Sequence, residues 1–481
     1  MAKRSDAFVL ARNALDYASG WLTYRTWRTR VPGAQVAVMI GGDLITNKGY
    51  GWADLESSER LGAAHQFRIA SHSKWLTATA IMRLVEDGML RLDDTVGTHV
   101  QELSGTKVAD LTLRELLSHG SGTTRDSEDS SFWSAERPFP DRDELIALAS
   151  DRPDIYSVGT AFKYSNIGYG LLGLVLEAVA ERSFDDLARE LITRPLGLSK
   201  TVADVDDRKS AKPVTGYSGI VTSHGRKPFP SPGSASLRAA TGFTSTAAEL
   251  ARFAHSHVQG NDELLSDRAK ALMRQPLWRY TDRSGLDVGY GLGTMVTSIG
   301  GREWIGHGGS WLGQSTRTIV EPTLGIVITV LTNSIDGPAE ELAFGIARLL
   351  LASQERHTAP LSLSAAASIP LGSGTSAATR TARRVDPSRF MGRFANEWSI
   401  TDVVELGDRL LAISPAAADP IESAIELTVV DEHTLRLPVE SSIGPAGELL
   451  HYEFDAKDRI QRISGAWRLK PAPLLEPFPL Q

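Results

Sequence analysis

Phe67-Arg68-Ile69-Ala70-Ser71-His72-Ser73-Lys74-Trp75-Leu76 is the stretch from which fold and chemistry are read. From Ser71 to about Asp87 the apolar residues recur at helical spacing, and Gly88 is placed to cap that helix. Ser71 and Lys74 lie three positions apart, on one face and within mutual reach. A serine hydroxyl is a poor nucleophile until a base takes its proton. A lysine can be that base only where desolvation or nearby cations keep its amine neutral. The start of a helix adds free N–H groups and partial positive charge, which suit a developing oxyanion.

Composition alone predicts roughly two Ser-x-x-Lys strings by chance in a chain this long. The second one present, Ser104-Gly105-Thr106-Lys107, holds a glycine and opens no helical pattern, so it reads as a loop. Two other strings set the first apart. Tyr164-Ser165-Asn166 is the one Tyr-x-Asn in the chain and precedes a helical run over roughly 168–181. His307-Gly308-Gly309 is the one His-x-Gly and precedes a strand-like region.

Working outward, Val36 to Ile40, the turn Gly41-Gly42-Asp43 and the return from Leu44 to Tyr50 form a hairpin pattern. Thr112-Leu113-Arg114-Glu115 and Thr246-Ala247-Ala248-Glu249 are capping-box sequences. Arg317 to Val320 and Ile326 to Leu331 are β-branched strands around a turn, and a helix follows from Ala339 to Leu351. Strands at both ends with helices between predict an α/β layer whose sheet joins distant segments. Between about His357 and Pro387, Ser, Ala, Thr and Gly dominate, as in a linker. Beyond it short runs alternate with turns, among them the hairpin Ile400–Leu406, Gly407-Asp408, Arg409–Ile413, which predicts a small barrel or sandwich.

The chain has 481 residues, 42% of them hydrophobic, which suits two domains. A net charge of -7 disfavours a nucleic-acid binder. With no cysteine there is no disulfide, thiolate zinc site or thiol nucleophile. Lys3 and Arg4 resemble a signal-peptide start, but Arg12 and Asn13 cut the apolar run short, and Phe8, Leu15 and Tyr17 suggest an amphipathic opening helix. No run approaches the ~18 apolar residues of a membrane span. The expectation is a soluble, cytoplasmic protein without membrane or nucleic-acid partners, acting on a small-molecule or short-peptide substrate, with its oligomeric state open.

Ser-x-x-Lys, then Tyr-x-Asn, then His-x-Gly, in that order, resembles the serine β-lactamase and penicillin-binding protein superfamily. Phe67-Arg68-Ile69-Ala70-Ser71, Leu116-Leu117-Ser118-His119-Gly120-Ser121-Gly122 and Pro195-Leu196-Gly197-Leu198 resemble its class C branch, over about Val31 to Leu351. The resemblance implies an antiparallel sheet flanked by helices, with an all-helical subdomain. It implies Ser71 as the acylated serine and Lys74 as the lysine that helps deprotonate it. Tyr164 matches the general base and later proton donor, provided adjacent cations favour its phenolate. Asn166 matches the amide that bonds substrate and the lysine. His307 would hydrogen-bond Tyr164 or substrate. Gly309 and Ser310 line the substrate, the N–H groups of Ser71 and Ser310 forming the oxyanion hole. No cofactor or metal is implied.

Strict β-lactamases of this branch usually carry lysine where His307 stands. A histidine is largely neutral at pH 7, so selection by a substrate carboxylate is disfavoured. His-x-Gly resembles instead D-aminopeptidases, D-amino-acid amide hydrolases and some esterases. Phe390-Met391-Gly392-Arg393-Phe394 and the strand–turn repeats after it resemble the lipocalin-like β-barrel of some D-aminopeptidase relatives. The expected domains are a hydrolase over 1–355, a linker over 356–386 and a small barrel over 387–481. Alternatives are a β-lactamase or DD-carboxypeptidase, an acyltransferase using the same acyl-enzyme, and a receptor descended from the fold.

Other residues read more plainly. His72 points to a different helix face from Ser71. His119 reads as a structural hydrogen-bonding residue. His255 and His257 are two apart, which does not suit chelation on a helix, and no His-Glu-x-x-His occurs. No Gly-x-Ser-x-Gly elbow occurs either. The glycines of Gly289-Tyr290-Gly291-Leu292-Gly293 allow close approach to the cleft rather than cradling phosphate. Trp304 and Trp311 suit core packing and an acyl pocket equally.

Overall fold

The computed structural model describes residues 2–126, 130–150, 156–205, 213–220, 225–282, 286–354, 385–395, 400–422, 424–438, 448–467 and 469–472. All but the last two residues of the expected linker lie outside the described residues. The chain divides into two compact units, Thr26–Phe344 and Met1–Arg25 with Gly345–Glu476.

The larger unit is built on nine antiparallel strands. In chain order they are β1 (Gly33–Ile40), β2 (Asp43–Asp54), β3 (Glu59–Arg60), β4 (Trp278–Thr281), β5 (Asp287–Tyr290), β6 (Met295–Ile299), β7 (Arg302–Trp311), β8 (Gln314–Glu321) and β9 (Ile326–Thr332). They line up as β3-β2-β1-β9-β8-β7-β6-β5-β4, so β1, from the start of the unit, pairs with β9 near its end. The predicted joining of chain-distant strands is therefore made by Ala34 to Ile40 against Ile326 to Thr332. β1 is apolar but for Gln35 and β9 is rich in Val and Ile, with nearly every residue of both buried, as strands covered on both faces must be. The helix Ala247–His255 covers β1, β8 and β9 on one face.

Helices fill the rest of this unit. The one opening after Ser71 runs His72–Glu86, with Asp87 as its C-cap and Gly88 following at φ +73°. That is the left-handed position glycine takes without steric cost. Thr112 and Glu115 make the full reciprocal capping box. Thr246 caps its helix through the Glu249 N–H, but the Glu249 carboxylate turns away to accept from Lys200 N and Thr201 Oγ1. Tertiary partners outcompete the local return bond there.

The second unit begins with the helix Ala2–Arg28, where Trp21 is fully buried. The Trp21 ring lies so close to Gly345 that a Cβ there would stand 2.3 Å from it. That contact explains why the first twenty-five residues group with the end of the helix Ala339–Gln354. The other part is an eight-stranded antiparallel sheet, in which Ile400–Leu406 and Arg409–Ile413 form the expected hairpin. A bridge from Ile463 to Leu469 nearly closes it into a barrel. Phe390, Phe394, Leu435, Leu450, Tyr452 and Ile463 fill its core. Arg393 and Asp402, both buried, pair in bidentate fashion at 2.7 and 2.8 Å.

Candidate active site

The approach to Ser71 is pinned before the helix starts. Phe67 and Arg68 pair with Ser245 and Thr244, and Arg68 N donates to Gln314 Oε1 at 2.7 Å. The Arg68 guanidinium is fully buried between Asp204 (2.7 Å) and the Trp311 ring (4.2 Å). Ala70 then takes φ +49°, a left-handed conformation that costs an alanine on the order of 1 kcal/mol. Such strain persists only where the surroundings over-determine it. Here β7 presses from behind: a Cβ on Gly309 would stand 2.2 Å from Ile69 O and 3.1 Å from Ala70 Cβ. Gly309 is thus the residue that lets the third motif pass beside the serine.

Ser71 sits at the N-cap and Lys74 one turn on, fully buried. The amine donates to Asn166 Oδ1 at 2.6 Å and to Ala240 O at 2.9 Å, and stands 3.4 Å from Ser71 Oγ. Burial drives its pKa well below the ordinary lysine value; Asp126 opposes that shift and Arg125 adds to it. Asn166 passes its other amide group to Asp126 Oδ1 at 2.7 Å.

Ser165 caps the helix Asn166–Ala180 through Gly168 N at 2.9 Å, and its own N–H donates to His119 Nδ1 at 3.1 Å. This cap holds Tyr164 and Asn166 on either side. The Tyr164 phenol shares a hydrogen bond with Ser71, and its ring lies 4.8 Å from Lys74 Nζ. Burial raises its pKa well above the ordinary phenol value, outweighing the Ser71 hydrogen bond and the Arg125 charge, which lower it. The cation effect expected to favour a phenolate is present but is the smaller one.

His307 is buried on β7, its ring centroid 6.2 Å from that of His72. Its nitrogens bond Gly308 O at 2.6 Å and the Tyr290 hydroxyl at 3.1 Å, so the protein partner found for it is Tyr290 rather than Tyr164. Ser310, next on the strand, is exposed. The structure thus brings Ser71, Lys74, Tyr164 and Asn166 into direct contact, with Gly309 and His307 on the strand alongside.

The remaining candidates fall into place as packing. Trp304 and Trp311 are buried; Trp311 stacks on Phe139 at 5.2 Å, and Trp304 donates to Ile299 O. His257 lies against Trp75 at 4.5 Å and Thr79, whereas His255 meets Asn261. Among the described residues no cluster of potential ligands could hold a metal. Gly293, at φ +66°, lies where a Cβ would be 2.4 Å from Ala78, so the glycine-rich stretch passes directly over the Ser71 helix. Asp126, Arg125, Tyr169 and Tyr290 escaped the sequence reading. Asp126 comes from a Thr-Thr-Arg-Asp loop with no pattern to single it out. Tyr290 was in view only as the residue between two glycines.

The family model described as Beta-lactamase matches residues 12–352. Penicillin-binding protein 4 of Amycolatopsis lactamdurans is 30% identical over 325 residues, 63% of this chain and 81% of that protein. Protein flp of Staphylococcus aureus (strain MRSA252) is 30% identical over 192 residues, 39% of this chain, and the match spans only 38% of that protein's length. Among solved structures, the octameric penicillin-binding protein homologue from Pyrococcus abyssi superposes with a TM-score of 0.62 at 22% identity, covering 95% of this chain and 99% of that one. A D-stereospecific amidohydrolase from Streptomyces sp. superposes at 0.56 with 24% identity, covering 73% of this chain and 99% of that one. Each of these shares the fold. Since the matched span holds Ser71, Lys74, Tyr164, Asn166 and His307 together, the chain belongs to the beta-lactamase family and is an enzyme, a hydrolase of the serine β-lactamase and penicillin-binding protein kind.

Proposed function

We propose that the enzyme hydrolyses amide, peptide or ester bonds through an acyl-enzyme on Ser71, with D-amino-acid amides and short peptides as its first substrate class. The observation that carries this is a buried, pKa-lowered amine 3.4 Å from a serine hydroxyl at a helix start. A neutral Lys74 can accept the Ser71 proton as Oγ bonds the substrate carbonyl carbon. The N–H groups of Ser71 and Ser310 would hold the oxyanion. As the carbonyl re-forms, the bond to nitrogen or oxygen breaks, and Tyr164, kept protonated by burial, gives its proton to the leaving group. Lys74, whose Nζ lies 4.8 Å from the Tyr164 ring, then returns the proton it took from Ser71 to the Tyr164 oxygen. Water attacks the ester and loses its proton to Lys74, which gives it to Ser71 Oγ as the acyl bond breaks, releasing the acid and restoring both Ser71 and the neutral amine. Asn166 fixes the amine and its neighbour Asp126 holds Asn166.

Support for the D-amino-acid class is His307 in place of a permanent cation, together with the fold shared with the Streptomyces amidohydrolase. The likeness to penicillin-binding protein 4 favours the second reading, a β-lactamase or DD-carboxypeptidase. One experiment separates them: intact-mass detection of an adduct mapped to Ser71 across D-Ala-p-nitroanilide, p-nitrophenyl esters and nitrocefin. An adduct and turnover with the first two, and slow or no nitrocefin hydrolysis, is expected. Rapid nitrocefin turnover lost in Ser71→Ala would favour the second reading, and a folded protein inert toward the whole panel would end both. A competing amine or alcohol in the same assay detects acyl transfer.

A further inference from the structure

Both ring nitrogens of His307 are taken by the protein itself. A carbonyl can only accept, so at 2.6 Å from Gly308 O the proton must be on Nδ1. Nε2 faces the Tyr290 hydroxyl at 3.1 Å. Tyr290 is fully buried and is held from several sides. Its ring meets His307 edge-on at 5.9 Å and lies 4.9 Å from His119 and 5.4 Å from Phe162. Phe162 in turn stacks on Tyr280 at 4.8 Å. Tyr169, whose ring lies 5.1 Å from the same His119, donates to Leu117 O at 2.8 Å. Tyr290 therefore joins the third motif to the loop that carries Tyr164, and leaves His307 no N–H to offer a ligand.

Resting on the acyl-enzyme reading above, we propose that Tyr290 is a specificity-determining positioning residue: by occupying Nε2 of His307 it makes the third motif a neutral wall, so the site prefers substrates whose leaving group carries no carboxylate. Burial is the main obstacle to a second proton on His307. His72 and Lys74 face it from the Ser71 helix and Arg317 from β8, and these act in the same direction. The Gly308 carbonyl acts in favour, and it is already served by Nδ1–H. Removing the Tyr290 hydroxyl leaves Nε2 open to the cleft, where a substrate carboxylate supplies the counter-charge for a second proton that burial and the neighbouring cations otherwise oppose.

The matched pair 4-acetoxybenzoate and methyl 4-acetoxybenzoate tests this, because the acyl group is the same and only one leaving group bears a carboxylate. The readout is the ratio of kcat/KM for acid over methyl ester, in wild type and Tyr290→Phe, from about pH 8 to about pH 5. In wild type the ratio is expected to be low and flat. In Tyr290→Phe it should climb at least about tenfold on acidification, as one new charge pair forms in the cleft. A flat ratio in folded Tyr290→Phe, or a climbing one in wild type, overturns the proposal. Nitrogen-15 NMR of wild type, with His307→Gln to assign the ring, decides it without any variant at Tyr290. A proton on Nδ1 alone across this range is expected, and a doubly protonated or Nε2–H ring overturns the proposal. If neither ester is turned over and a fluorophosphonate leaves Ser71 unlabelled, the acyl-enzyme reading fails while the NMR result still decides the role of Tyr290.

Discussion

Ser71-His72-Ser73-Lys74 and Ser104-Gly105-Thr106-Lys107 are the same string in two settings. Lys74 is fully buried, its amine wedged between Asn166, Ala240 and Ser71. Lys107 and Ser104 are both exposed, on short 3-10 turns around Gly105. Lys107 stands in solvent, without the burial that surrounds Lys74. Lys74 loses that hydration and is left with oxygen partners instead. The pair of residue types is thus worth nothing until burial and a helix start act on it.

That contrast can be broken in four places. The largest effect is expected from Ser71→Ala, which should abolish the mass adduct and lower kcat on the order of 10⁵-fold. Survival of an adduct in that variant would place the nucleophile elsewhere. Next is Lys74→Met, which keeps the volume and removes the amine, and should lower kcat/KM on the order of 10³-fold. Its pH profile sharpens the point. Since burial lowers the Lys74 pKa, the wild-type rate should rise with pH through a value far below that of a solvated lysine. It should hold through neutrality, because the raised Tyr164 pKa keeps the proton donor loaded. Lys74→Met should lose that acid limb.

A third effect is on stability. His72 on the catalytic helix and His257 against it are neutral when folded, their pKa values pushed by burial to about 3. Unfolding returns each to about 6.5. Above that value neither contributes a pH dependence. As pH falls below it the unfolded chain gains protons that the folded chain refuses, so stability drops by about 1.4 kcal/mol per pH unit per histidine. Urea melts at about pH 7 and pH 5 should show the drop, and His257→Gln should reduce the slope by one histidine's worth. The smallest effect belongs to the other string: Ser104→Ala and Lys107→Ala should leave turnover unchanged and stability within about 0.5 kcal/mol. A measurable loss of activity there would mean that exposure is not what silences it.

Sequence patterns carried the architecture further than the electrostatics. The apolar run at 36–40 and the β-branched run at 326–331 read as strands, and they become neighbours at the centre of the sheet. Gly88, Thr112 and the Ile400–Ile413 hairpin are local signals, and local physics decides them. Ser71, Lys74, Tyr164 and Asn166 were legible because a common string is followed, in a fixed order, by two that each occur once. Asp126 and Tyr290 were not, because each acts through a partner more than fifteen positions away, and neither stands in a pattern. The protonation of Tyr164 was legible only as a condition, that adjacent cations favour its phenolate. Both the approach of Arg125, thirty-nine positions away, and the burial that outweighs its charge exist only after folding.

The grouping of Met1–Arg25 with Gly345–Glu476 bears on how the molecule is made. During synthesis Trp21 leaves the ribosome long before Gly345, the residue it lies on. At about 5–20 residues per second that interval is some tens of seconds. Throughout it the opening helix carries an indole without its native neighbour. The nascent chain is therefore open to chaperone capture at its first helix, and a tag or truncation at the amino end should reduce the yield of the carboxyl-terminal sheet rather than of the catalytic cleft.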